Sequence, residues 1–171
     1  TFTVSNVAPT LTPVVPSESP VATGSTVSVG LTVADVGTND THTATVNWGD
    51  TTSSAGLVTE TAGAGAIRAA DAYPAHGTEH VTVTVADDNG GVASTSTSIV
   101  VNGQPSVGAG GPYSGVEGAG VTLSGTAVDP EADALPVTWT YTVAGADAGT
   151  RCRLPGEPTL PPAGHSPDAP P

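Results

Sequence analysis

The chain is predicted to be all-β: an antiparallel sandwich in tandem, with the second copy incomplete. Three observations carry this expectation. Val81, Val83 and Val85 alternate with Thr82 and Thr84, and Val27, Val29, Leu31 and Val33 alternate with Ser28, Gly30, Thr32 and Ala34. That period of two belongs to strands with one buried face. Gly 22 and Pro 16 punctuate the 171 residues, with Val, Thr, Ser and Ala between them, which favours short strands and turns over helices. The chain also repeats itself. Asn6-Val7-Ala8-Pro9 returns as Asn102-Gly103-Gln104-Pro105, and Trp48 returns as Trp139. A period of roughly 90–95 residues marks an array of self-contained domains, since solenoid units are only about 20–50 residues long.

Each element follows in order. Residues 11–15 read as an edge strand interrupted by Pro13 and followed by Pro16, because proline cannot donate to a ladder. Residues 27–33 form the first amphipathic strand. Residues 43–48 place Ala44, Val46 and Trp48 on one face. Residues 54–61 make a weaker strand, and 66–69 a short one. Residues 81–85 are the clearest strand in the chain. Asp87-Asp88-Asn89-Gly90-Gly91 tolerates positive φ and turns a hairpin into the last strand, 92–101. Short, regularly spaced strands of this kind indicate a sandwich.

The boundaries follow from this pattern. Residues 1–6 read as the end of a preceding unit or a linker, so the chain reads as an excerpt of a longer protein. Residues 7–102 form one complete sandwich, 103–147 a partial second one, and 148–171 a proline-rich disordered tail. The second unit opens well, with strand-like segments at 121–128 and 135–143. After Asp147 the alternation disappears, and prolines crowd the remainder beyond what can order itself. The change at Arg151 is what a truncation or a shifted reading frame in the source would leave. Without closing strands, Trp139, Val137 and Leu123 lack a covering sheet. Residues 105–147 are therefore expected to pack loosely or to lean on the first unit.

Charge excludes several roles. The chain has 16 acidic residues against Arg68, Arg151 and Arg153, for a formal net charge of -13. Nucleic-acid affinity rests on Lys and Arg neutralising phosphates, so a nucleic-acid partner is not expected. Anionic membrane surfaces are disfavoured likewise, and no run approaches the roughly 20 apolar residues of a membrane span. The acidic, lysine-free, threonine-rich surface points to an extracellular setting, secreted or at the cell surface. Cys152 is the lone cysteine, so no disulfide forms within the chain.

Two further segments frame the clearest strand. Asn47-Trp48-Gly49-Asp50 closes one β-run, with Thr51 after it, and Asp71-Ala72-Tyr73 precedes Gly77-Thr78-Glu79 and the strand to Val85. Together these resemble the motifs of the PKD repeat, an immunoglobulin-like β-sandwich found in tandem in large secreted and cell-surface proteins. The resemblance covers nearly all of 7–102 and the front of the second unit. Thr51 stands where the family's closing Gly is usual, Asp71 departs from its H-x-Y, and Glu79 stands where an aromatic is usual. The resemblance implies a non-enzymatic spacer or adhesion module within a larger protein, with neighbouring repeats in the same chain. Its contacts would be with a protein or carbohydrate ligand. Two rival roles stay open: an accessory, substrate-engaging domain of a secreted hydrolase, and a calcium-stiffened linker repeat.

Residue by residue, the chemistry is sparse. Trp48 shares the parity of Val46 and Ala44, so it belongs to the core with Val83 and Val85. Burying an indole removes roughly 150–250 Å² from water, worth about 4–6 kcal/mol as an upper bound. Tyr73 sits where sandwich folds tie a tyrosine hydroxyl back to backbone. His42, His76, His80 and His165 lack the convergent spacing of a zinc shell and read as exposed loop and strand residues. Asp129, Glu131 and Asp133 alternate in one loop, either as calcium ligands or as a solvated turn. Asp87-Asp88-Asn89 and the group Asp35, Asn39 and Asp40 are further acidic turns, read as backbone caps. No nucleophile elbow or nucleophile–base pair is present, so no catalytic residue and no organic cofactor is expected, calcium being the one candidate ion.

Overall fold

The alternating segments pair into antiparallel ladders in the computed structural model, which describes residues 5–116, 119–143 and 146–152. The chain divides after Gln104 into two units. In the first, the edge segment is split around Pro13 into β1 (Thr10–Leu11) and β2 (Val15–Pro16), both paired with β4 (Thr26–Ala34). After β2 the chain switches sheets, so that β3 (Val21–Ala22) pairs in parallel with the last strand. The sequence reading passes over β3 because two residues show no period.

The remaining strands are β5 (His42–Asn47), β6 (Ser53–Thr61), β7 (Ala64–Ala72), β8 (Gly77–Asp87) and β9 (Val92–Asn102). One layer holds β1 and β2 beside β4, then β7 and the second half of β6. The other holds the first half of β6, then β5, β8, β9 and β3. This is an all-β, immunoglobulin-like sandwich.

β6 belongs to both layers. Its residues Ser53 to Gly56 pair with β5, and Leu57 to Thr61 pair with β7. Gly56 is the corner, where a Cβ would come within 2.9 Å of the Ala44 Cβ and 3.0 Å of the Ile67 Cγ2. Only glycine lets the strand pass between the layers so closely.

The core lies between the layers. Val27, Val29 and Val33 from β4, Val46 from β5, Ile67 from β7, Val81, Val83 and Val85 from β8, and Ile99 from β9 are all buried, with Trp48 and Tyr73 the largest side chains among them. Register sets this: pairing β8 with β5 places Val83 opposite Val46 and Val85 opposite Ala44, and a one-residue slip would turn every valine to solvent.

The second unit has two short ladders. β10 (Ser106–Gly108) pairs with β11 (Thr126–Val128), and β12 (Thr138–Val143) with β13 (Ala146–Cys152). The strands are shorter than the 121–128 and 135–143 the sequence suggests. Trp139 is half-buried over Gly125, whereas Trp48 is fully enclosed. β13 carries the chain as strand through Arg151 and Cys152, past the point where alternation stops. Its backbone pairs with β12, with Thr138 opposite Cys152, and a two-stranded ladder needs hydrogen-bond partners but no apolar face. The expectation for residues 153–171 lies outside the described residues.

After Trp48 the chain makes a tight turn. Gly49 has φ +94, and a Cβ there would come within 2.7 Å of the His80 backbone nitrogen, so glycine is required. Thr51, at the position where the PKD motif has its second Gly, also has positive φ, at 76°. A β-branched residue in that region is strained by about 1–2 kcal/mol. Thr51→Gly should therefore raise the unfolding free energy by about 1 kcal/mol, after the added chain entropy of glycine is deducted. Urea denaturation checks this, and a destabilised T51G variant would show the turn is not strained.

Candidate functional site

Two clusters and one surface collect the chemistry-bearing side chains of the first unit. The first cluster is structural. Trp48 follows β5 directly and faces inward, and its indole N–H donates to the Ser54 hydroxyl at 2.9 Å. The Tyr73 hydroxyl, between β7 and β8, donates to the Trp48 carbonyl at 3.0 Å. The two rings meet edge to face, 6.4 Å apart at 77°. Burial, with the charges of Asp50, Glu79 and Asp71, pushes the phenol pKa up to about 12, so it stays a donor through the neutral range. No polar end of either ring is left for a ligand or substrate.

The second cluster lies where the β4–β5 loop meets the β8–β9 turn. It corrects the reading of His42 as an exposed residue. His42 opens β5 on the same face as Ala44, Val46 and Trp48, so its ring is buried. Here β6 has already left β5 for the other layer, and Glu60 takes over the missing ladder contact. One Glu60 oxygen accepts the His42 backbone N–H at 2.9 Å, and the other lies 2.5 Å from His42 Nδ1. Asp35 Oδ2 lies 3.4 Å from Nε2. Burial alone would lower the imidazole pKa, but the hydrogen bonds and charges of Glu60 and Asp35 outweigh it and raise it above 6.5. Nothing in the sequence links His42 to Glu60, because the contact depends on β6 changing layers.

The same end draws together acidic turns that look independent in sequence. One oxygen each from Asp35, Asp40 and Asp87 lies within 4.8 Å of the others, the one such group among the described residues. Each carboxylate already has partners. Asp35 Oδ1 accepts the Gly37 N–H at 2.7 Å, and Asp40 accepts from the Asn89 amide at 3.0 Å. Asp87 accepts from the Asn6 side chain at 2.9 and 3.1 Å, and from the backbone of Asn89 and Gly91 at 2.9 and 2.8 Å. The Asn6 hydrogen bond and those backbone donors hold the Asp87 pKa below its usual value. Asp87 thus caps the hairpin turn and joins it to Asn6, while the Asn89 side chain joins it to Asp40.

Asp129, Glu131 and Asp133 are arranged differently. Asp129 Oδ1 accepts the backbone N–H groups of both Glu131 at 3.0 Å and Asp133 at 3.2 Å, the geometry of a capped turn. These three do not form a three-carboxylate group of the kind Asp35, Asp40 and Asp87 form.

The surface is the outer face of β5, β8 and β9. Thr45 lies opposite Thr84, Thr84 opposite Ser94, Asn47 opposite Thr82, and Thr82 opposite Ser96. His80 contacts the Ser98 hydroxyl at 3.1 Å. The valine parity that builds the core also builds this hydroxyl ladder on the other side. In sequence this face is marked by the threonines between the valines.

No family model matches the chain, and no curated protein matches it. Among solved structures, the chain is similar to the PKD domain of an M14-like peptidase from Thermoplasmatales archaeon SCGC AB-540-F20. The identity is 16%, the match covers 55% of this chain and 92% of that one, and the TM-score is 0.42.

The His42 cluster makes stability depend on pH. Its folded pKa lies above the unfolded 6.5, so its contribution is complete below that value and is lost as pH rises through the folded pKa. Unfolding free energies measured from about pH 5.5 to about pH 9 should fall with pH in the native chain and be flatter in His42→Gln. A native profile as flat as that of H42Q contradicts the assignment.

Proposed function

We propose that this chain is a non-catalytic, extracellular spacer and adhesion module of a larger surface or secreted protein. One observation supports the reading most. The indole, phenol, imidazole and clustered carboxylates of the first unit are engaged in holding its own fold, while the β5–β8–β9 face presents uncharged hydroxyls to solvent. A nucleophile needs an adjacent base and an open approach. His42, the buried histidine, instead has carboxylates at both ring nitrogens.

A flat ladder of Thr, Ser and Asn side chains suits shallow contacts with hydroxyl-rich or amide-rich partners such as carbohydrate or protein surfaces. The net charge of -13 keeps such a module soluble and apart from anionic polymers. A linker that uses calcium as a stiffener is the variant of this role favoured by the approach of Asp35, Asp40 and Asp87.

The test is retention on solid ligands. The full chain is sedimented with insoluble cellulose, chitin and collagen fibres, beside a variant carrying Thr45→Arg and Thr84→Arg. The expected result is retention on at least one of these, reduced about ten-fold or more in the variant at unchanged melting temperature, as the loss of a hot-spot contact would give. Equal retention of the variant contradicts the face assignment. Turnover of a peptide or glycoside substrate that is lost on a single substitution contradicts the non-catalytic reading.

A further inference from the structure

The edges of the sandwich are not equally protected. An edge strand presents unpaired N–H and C=O groups and templates pairing with another chain unless it is short, charged or interrupted. On the β4 side, β1 and β2 are two residues each, with Pro13 between them and Pro16 at the end. β6 divides itself between the layers and carries Glu60. β9 has none of these protections. It runs for 11 residues, contains no proline and no charged residue, and pairs with β8 along one side. On its other side β3 pairs with Val101 and Asn102, the Ser19 hydroxyl accepts the Val100 N–H at 3.0 Å, and Asn6 and Ala8 lie against Gly91 just before the strand, which leaves Ser94 to Ser98 without a ladder partner on that side among the described residues. That bond shows which way the backbone points: Val100 faces outward, and by alternation so do Ser98, Ser96, Ser94 and Val92.

The sequence around the open stretch is self-complementary. Val92-Ala93-Ser94-Thr95-Ser96-Thr97-Ser98-Ile99-Val100 is near-palindromic about Ser96. Two copies meeting antiparallel across a two-fold axis at Ser96 place Ser94 opposite Ser98 and Thr95 opposite Thr97. The outward backbone groups of Ser94, Ser96 and Ser98 then exchange hydrogen bonds with their counterparts. Opposed Thr and Ser pairs are favourable across strands.

Charge singles out the same strip. In a chain of net charge -13, two copies meet most readily where no carboxylate faces another, and β9 has none along its length; Asp87 and Asp88 precede it in the hairpin turn. The interface is isologous, as a closed dimer requires.

We infer that β9 is a homophilic docking edge, through which two copies of this chain join their β5–β8–β9 layers into one continuous sheet centred on Ser96. This does not rest on the adhesion reading. A spacer that binds no foreign ligand would still dimerise this way, and a ligand-binding module would place two hydroxyl faces side by side.

The test uses the full chain with Cys152→Ser as background. Sedimentation velocity across about 1 to about 500 μM should show a reversible monomer–dimer equilibrium, spanning the range of weak, edge-mediated contacts. Ser96→Lys should weaken association at least ten-fold at unchanged circular dichroism and melting temperature. Register is then read by cysteine cross-linking under mild oxidation. A residue paired with itself across the axis has Cα atoms about 5.5 Å apart, within disulfide reach. Ser96→Cys should therefore cross-link, whereas Ser94→Cys, about 13 Å from its copy, should not. A strictly monomeric chain overturns the inference. So does a dimer indifferent to S96K, or one in which S94C and S96C cross-link equally.

Discussion

The hydrogen bond from the Tyr73 hydroxyl to the Trp48 carbonyl holds together two places where the chain changes direction. Trp48 follows β5 and opens the turn into β6, its backbone N–H donating to the Thr52 carbonyl at 3.1 Å. Its indole reaches Ser54 at the start of β6. Tyr73 lies where β7 gives way to β8. One buried pair therefore joins both strand changes at the same end of the sandwich, and the rings fill the space between the layers. The carbonyl is enclosed, so without the phenol it would have no water to turn to, and an unmet buried acceptor costs more than a met one contributes.

The opposite end is organised by charge. β6 leaves β5 at Gly56, and the backbone acceptor that His42 would have found there is missing. Glu60 supplies it, Asp35 approaches the other ring nitrogen, and Asp40, Asn89, Asp87 and Asn6 continue the network outward. Several carboxylates share this end because each has a donor at hand, whether an imidazole, an amide side chain or a turn N–H. The strand exchange by β6 is thus the common cause of the corner glycine and of the buried histidine.

How much of this was legible depends on range. Parity alone places Val29, Val46, Val83 and Val85 on inner faces, because period two within one strand is local information. Trp48 followed from the same parity. The role of Tyr73 followed from its position before the strongest strand, although parity says nothing about which carbonyl it meets. His42 has the parity of Ala44 and Val46 as well, yet a histidine without a visible partner reads as a surface residue. Its partners Asp35 and Glu60 lie on other elements, and only tertiary structure brings them in. The acidic turns were each visible, but the meeting of Asp35 and Asp40 with Asp87 depends on how the β4–β5 loop lies against the hairpin turn. In the second unit alternation fails after Asp147, while β13 is defined by backbone pairing, which leaves no period to read.

The Tyr73–Trp48 hydrogen bond, beyond the packing of the two rings, locks the sandwich. Tyr73→Phe keeps the ring and removes only the hydroxyl, so urea unfolding of the native chain and this variant isolates the bond. The expected loss is about 1–3 kcal/mol with an unchanged dependence on denaturant, as for a buried acceptor left unpaired. A loss below about 0.5 kcal/mol, within the range of an ordinary surface substitution, would contradict it.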